Sequence, residues 1–233
     1  YRVQAGCVTS TAITRYMYIT VHQPFDHRIR LKYSKTELVD DVQSIEHPIM
    51  RAALTLIRIE GGIEITSVAD IPARAGLGSS SSFAVGLLHA LHAYKGQYVS
   101  AETLARESCE IEIGMLGDPV GKQDQYIAAY GGFQHIQFNP DESVFVDPII
   151  WSPARKQAFL AHLMLFHCGG SRSAGEILKD QRQHIPQKMA PMARMAALAR
   201  ELKEELRSEH DIRRIGDILH EAWLLKRGLS SSI

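Results

Sequence analysis

Nowhere in these 233 residues do about 18 apolar residues follow one another, so no segment reads as a membrane-spanning helix. The opening Tyr1-Arg2-Val3 lacks the basic-then-apolar pattern of a secretory signal, and it lacks an initiator methionine. The reading is of a chain whose true beginning is missing. Net charge is absent as well: Lys plus Arg and Asp plus Glu each number 26, which leaves no global positive field to hold a nucleic acid or an anionic membrane. Neither is expected as a partner. Cysteine is scarce. Cys7, Cys109 and Cys168 are scattered and odd in number, with neither the paired spacing of a zinc site nor the density of a disulfide scaffold, so a reducing, cytoplasmic setting is expected. What is present is ordinary globular usage, 45% apolar and 22% charged, in a chain long enough for one large or two small domains. No internal repeat occurs.

Periodicity divides the chain into alternating elements. Residues 11–21 are rich in β-branched and aromatic side chains, and 29–33 come after a turn-like Gln23-Pro24-Phe25-Asp26, which predicts two strands. Pro48 at a first-turn position and Ile49, Ala52, Ala53 and Leu56 at helical spacing predict a helix over 48–57. An alternating strand over 63–68 runs into a loop, and a long helix is expected next over 79–94, closed by Lys95-Gly96. Ser100 caps a helix expected to reach Ile113; a Gly- and Pro-punctuated loop leads to another helix over 122–130. Strands are expected at 133–138 and 144–146, and again at 161–166, before long amphipathic helices over 189–206 and 212–225. A soft boundary is placed near residue 150, separating 1–150 from 151–233.

The densest chemistry lies in Pro72-Ala73-Arg74-Ala75-Gly76-Leu77-Gly78-Ser79-Ser80-Ser81-Ser82, between a strand and the first turn of a long helix. Glycines permit positive φ and leave room for an anion, while the helix start presents unpaired N–H groups and partial positive charge to phosphate oxygens. The serines add hydroxyls able to cap the helix, bind phosphate or ligate Mg²⁺. The plain alternative is a Gly-x-Gly turn with ordinary serine caps. A Walker loop is excluded, because Gly117-Asp118-Pro119-Val120-Gly121-Lys122-Gln123 is one residue short and has no Ser or Thr after the lysine. A Rossmann fingerprint is excluded by the missing third glycine.

The string resembles the Pro-x-x-x-Gly-Leu-Gly-Ser-Ser loop of the GHMP kinases. That resemblance implies an α+β fold of two domains, ribosomal-protein-S5-like then ferredoxin-like, with ATP and Mg²⁺ as cofactors. It further implies that Pro72, Gly76, Leu77, Gly78, Ser79, Ser80 and Ser81 hold the nucleotide. In these kinases a Glu after the loop completes the Mg²⁺ site and an Asp about a dozen residues on lies beside the acceptor hydroxyl; the matching residues are Glu112, with Ser80, and Asp124. Glu107 and Glu110 are close neighbours of Glu112, and only the spacing to Asp124 and the resemblance choose between them. The run 63–138 is further similar to D-glycero-D-manno-heptose 7-phosphate kinases, through Asp70-Ile71-Pro72, the His89-Ala90-Leu91-His92 stretch and Gly121-Lys122-Gln123-Asp124-Gln125. This second similarity implies a sugar kinase acting on the anomeric hydroxyl of a heptose 7-phosphate. Lys122 and Arg172 are candidates for holding a second phosphate, against the alternatives of a surface lysine and a structural arginine. His89 and His92 lie three apart on a helix but lack a third ligand, and His167 and Cys168, as neighbours on a strand, would face opposite ways. The family's outer motifs lie before the first residue and after the last, and Arg74 stands where a small residue is usual. The alternatives kept open are a galactokinase-like or fucokinase-like member and a catalytically silent GHMP-like binding protein. A homodimer is left open.

Overall fold

The computed structural model describes residues 1–71, 75–166, 188–208 and 212–229. The chain forms two compact units: Ile13–Tyr130, and Tyr1–Ala12 together with Gly131–Ile233. The boundary expected near residue 150 falls inside the second of these, just after its last described strand.

The unit Ile13–Tyr130 is built on a four-stranded mixed sheet. Its strands are β2 (Met17–His22), β3 (Ile29–Lys32), β4 (Thr36–Val39) and β5 (Ile63–Ala69), in the order β2-β5-β3-β4. β2 runs antiparallel to β5 with Tyr18 opposite Val68, β5 runs parallel to β3 with Ile65 opposite Leu31, and β3 turns back antiparallel into β4. Ile29, Leu31, Ile63 and Ile65 alternate inward and are fully buried. Helix α1 (Pro48–Ile57) starts where its proline's missing N–H costs nothing. It ends where Arg58 adopts φ 59. Helix α2 (Ser79–Tyr94) buries Phe83, Leu87, Leu88 and Leu91 in the same core as α1 and the sheet. Helix α3 (Ala101–Cys109) is capped by Ser100, whose Oγ accepts from Thr103 N at 3.1 Å. It runs into a π-helical turn at Glu110–Met115 rather than ending as an α-helix near 113. Helix α4 (Gln123–Tyr130) packs on α3, where Tyr126 and Tyr130 each donate to a different oxygen of Glu102 at 3.0 Å.

The other unit has a three-stranded antiparallel sheet, β1 (Gly6–Thr11), β6 (Phe133–Phe138) and β7 (Val144–Pro148), with β6 in the middle. Helix α5 (Pro153–Leu160) comes next, and Trp151 packs edge-on against both Phe133 and Phe159. Helix α6 (Met189–Arg207) packs against β1, with Thr9 Oγ1 donating to Ala199 O at 3.1 Å, and its Leu198, Leu202 and Leu206 form an apolar cluster with Ile215 and Ile218 of α7 (Ile212–Arg227).

Two sequence expectations are corrected, and one strand is added to them. The β-prone run 11–21 is two strands in different units, broken at 12–16. Residues 36–39 form a strand that periodicity over four residues does not reveal. The strand expected at 161–166 is a turn and irregular chain with Met164 and Leu165 over 80% exposed; no described strand pairs with it.

Candidate active site

The end of β5 is tied to the start of β2: Asp70 N donates to Tyr16 O at 3.0 Å and Tyr16 N to Asp70 Oδ2 at 2.8 Å. From this anchor the chain rises to Gly76 (φ 73) and Gly78 (φ 69), both in the left-handed region that a side chain disfavours. Gly78 occupies the cap position of α2 without any capping side chain, and the first turn holds no acidic residue. The helix start therefore keeps its free N–H groups and partial positive charge available to an anion. Ala75, Gly76 and Leu77 are exposed, Ser79 is half-buried and Ser80 is exposed beside it. Pro72 and Arg74 lie outside the described residues, as do His167, Cys168 and Arg172.

Beneath this helix start lies one carboxylate. Glu112 is 2% exposed and accepts hydrogen bonds from Ser80 Oγ, from Ser81 Oγ at 2.8 Å and from Gln125 Nε2 at 2.6 Å. Its neighbours are used elsewhere. Glu107 meets His92 Nε2 at 2.7 Å, and the carboxylate of Glu110 is exposed and folded over Gly114. Of the three acids it is Glu112 that lies against the head of α2, on a π-helical turn (Glu110–Met115) closed by Leu116 N donating to Ile111 O at 3.0 Å. His92 also meets Gln97 Oε1 through Nδ1 at 2.9 Å, so it serves as a buried tie and not as a metal ligand.

Asp124, exposed in the first turn of α4, reaches the same place from the other side. A methyl added at Gly78 would lie in ordinary contact with Asp124, 3.4 Å from Cγ and 3.5 Å from Oδ2, which puts this carboxylate beside the head of α2. Gly78, Ser79, Ser80, Ser81, Glu112 and Asp124 are therefore brought together within one unit, some from over 40 residues apart. Lys122 lies half-buried one residue ahead of α4. Gln125 does not stand out in the sequence, because its role depends on which way α4 turns a residue next to an acid.

Among the described residues no group of three or more His, Cys, Asp or Glu is placed to hold a metal. Ser80 and Glu112 supply one hydroxyl and one carboxylate, both hard oxygen donors. That set fits Mg²⁺ shared with a ligand's phosphates, and does not fit a cage made wholly of protein.

Residues 47–132 match the family described as GHMP kinases N terminal domain. The chain is 28% identical over 170 residues to D-glycero-alpha-D-manno-heptose 7-phosphate kinase of Campylobacter jejuni, covering 70% of this chain and 49% of that protein, so it spans about half its length. Among solved structures, a D-glycero-D-manno-heptose 1-phosphate kinase from Bacteriodes thetaiotaomicron superposes with a TM-score of 0.74 at 23% identity, over 96% of this chain and 71% of that one. Streptococcus pneumoniae phosphomevalonate kinase, solved with phosphomevalonate and AMPPNP, gives 0.74 at 14% identity, over 98% and 80%. Residues 47–132 are thus similar to the N-terminal domain of the GHMP kinases, and the described chain shares the α+β fold of these solved kinases.

Proposed function

We propose that this chain carries the nucleotide-binding and catalytic groups of an ATP-dependent sugar kinase, a phosphotransferase acting on an alcohol. The observation that carries this reading is the convergence of a glycine-capped helix start, a buried Glu112 tied to Ser80 and Ser81, and Asp124 against Gly78. The N–H groups of α2 and the hydroxyls of Ser79, Ser80 and Ser81 receive the phosphates. Ser80 and Glu112 would hold Mg²⁺, which when bound neutralises charge on those phosphates. Asp124 orients the acceptor hydroxyl and takes its proton at a carboxylate oxygen. Phosphoryl transfer needs little covalent help, so positioning of this kind accounts for most of what a protein supplies.

The acceptor in this reading is the anomeric hydroxyl of D-glycero-D-manno-heptose 7-phosphate, supported by the relative from Campylobacter jejuni and by the run 63–138 that resembles such kinases. A remote phosphate held by Lys122 or Arg172 would position the reacting hydroxyl, so the free sugar should be a poor substrate. A coupled ADP-release assay tests this against heptose 7-phosphate, free heptose, galactose and phosphomevalonate, with the product position read by phosphorus NMR. Turnover of heptose 7-phosphate at the anomeric oxygen is expected. Preference for another acceptor overturns the substrate; ATP hydrolysis and transfer absent with every acceptor overturn the kinase reading.

A further inference from the structure

The partners of Glu112 are divided unequally between its two oxygens. Oε2 accepts from Ser81 Oγ at 2.8 Å and from Gln125 Nε2 at 2.6 Å, whereas Oε1 meets Ser80 Oγ. The bond from Gln125 is short, as expected for a donor facing a carboxylate. Gln125 itself is completely buried, and its own Oε1 finds no partner among the described residues. An orphaned buried acceptor costs stability, and an unbranched apolar side chain of the same length would fill this space without that cost. What the amide supplies is a donor aimed at one chosen oxygen.

We propose that Gln125 is a positioning residue that sets which divalent cation the site prefers: by occupying Oε2 it leaves Glu112 one oxygen, on the Ser80 side, with which to meet the ion. This rests on Ser80 and Glu112 being the metal-holding pair. Mg²⁺ is small and binds through few carboxylate oxygens, keeping its other positions for water and phosphate; Ca²⁺ readily takes both oxygens of one carboxylate and collects more ligands. A carboxylate with one oxygen withheld therefore suits Mg²⁺ and handicaps Ca²⁺. The buried end of Glu112 is also fixed against rotation, since Ser81 on α2 and Gln125 on α4 hold the same atom from two helices.

Calorimetric titration of the full chain with the nonhydrolysable nucleotide AMPPNP, in Mg²⁺ and separately in Ca²⁺, reads the preference without turnover. Gln125→Met keeps the bulk and removes the donor; Ser81→Ala removes the other donor on the same oxygen. The unaltered chain should bind AMPPNP more tightly with Mg²⁺. That ratio should shrink by about tenfold in Gln125→Met, the size expected for loss of an outer-shell partner. The thermal midpoint should stay level or rise, and Ser81→Ala should shift the ratio in the same direction. If circular dichroism finds Gln125→Met unfolded, the Ser81→Ala ratio decides. An unchanged ratio in a folded variant, or equal weakening with both ions, overturns the inference and leaves the nucleotide site standing. Failure of the unaltered chain to bind AMPPNP with either ion overturns both.

Discussion

Glu37 and Glu112 are buried carboxylates met by hydrogen-bond donors and by no Lys or Arg among the described residues, yet they serve different ends. Glu37 is structural: it accepts from Glu46 N at 2.6 Å, Tyr33 Oη at 2.7 Å and His47 N at 3.1 Å, fixing the approach to α1. Burial alone would raise its pKa, but these donors, led by the Glu46 N–H, outweigh burial and hold it below the ordinary carboxylate value. The same pairing, after burial, pushes the Tyr33 hydroxyl up to about 12. A depressed carboxylate stabilises the fold above its unfolded pKa, and that contribution is lost as pH falls through the folded value. Glu37→Gln should therefore be less stable than the unaltered chain at neutral pH, with the gap closing in acid; denaturant melts across pH check this, and a gap independent of pH would refute it. In the proposed mechanism Asp124 belongs to the chemistry instead. Asp124→Asn should lower kcat by roughly 10²–10⁴ while the Kd for ATP changes little, because the lost interaction is made with the hydroxyl in the transition state. An unchanged kcat removes Asp124 from the proposed mechanism.

The head of α2 is the element on which the site depends, and its geometry can be probed at one atom. Gly78→Ala places a Cβ in the left-handed region, at a cost of about 1–2 kcal/mol, and 3.4 Å from Asp124 Cγ. The expected result is lower stability by that amount together with weaker AMPPNP binding; loss of stability with undiminished binding would detach Gly78 from the nucleotide. This helix is legible in the sequence at both ends, because a glycine pair precedes its serines, Lys95-Gly96 closes it, and Leu87, Leu88 and Leu91 recur at helical spacing. The ends of α1 are legible for similar reasons, from Pro48 and the break before Gly61-Gly62. The π-helical turn is not, since Glu110-Ile111-Glu112-Ile113 suits an ordinary helix equally well and the extra residue per turn is decided by packing. Nor is the expected strand at 161–166 realised. Its composition suits a strand, but a strand exists only beside a neighbour. The acidic pair of the proposed site, Glu112 and Asp124, is chosen in the sequence by its spacing together with the family resemblance, whereas Gln125 requires knowing where α4 lies.

At the scale of the whole chain, the pairing of Gly6–Thr11 with Phe133–Phe138 explains why no single point in the sequence separates the two compact units. Local periodicity announces each strand but carries no record of which distant strand it meets. That pairing also imposes an order of assembly. The unit Ile13–Tyr130 is continuous in sequence, with β3, β4, α1 and β5 all close neighbours, whereas β1 must find a partner more than a hundred residues away and bears a larger loop-closure cost until the intervening segment is compact. Pulse-labelled hydrogen exchange during refolding should protect amides of β3 and β5 before those of β1 and β6; simultaneous protection, or the reverse order, would count against it. On a ribosome the same constraint becomes a matter of time. At about 5–20 residues per second, β1 emerges and then waits several seconds or longer for β6, while the segment holding Gly78, Glu112 and Asp124 is able to close before β6 has been made.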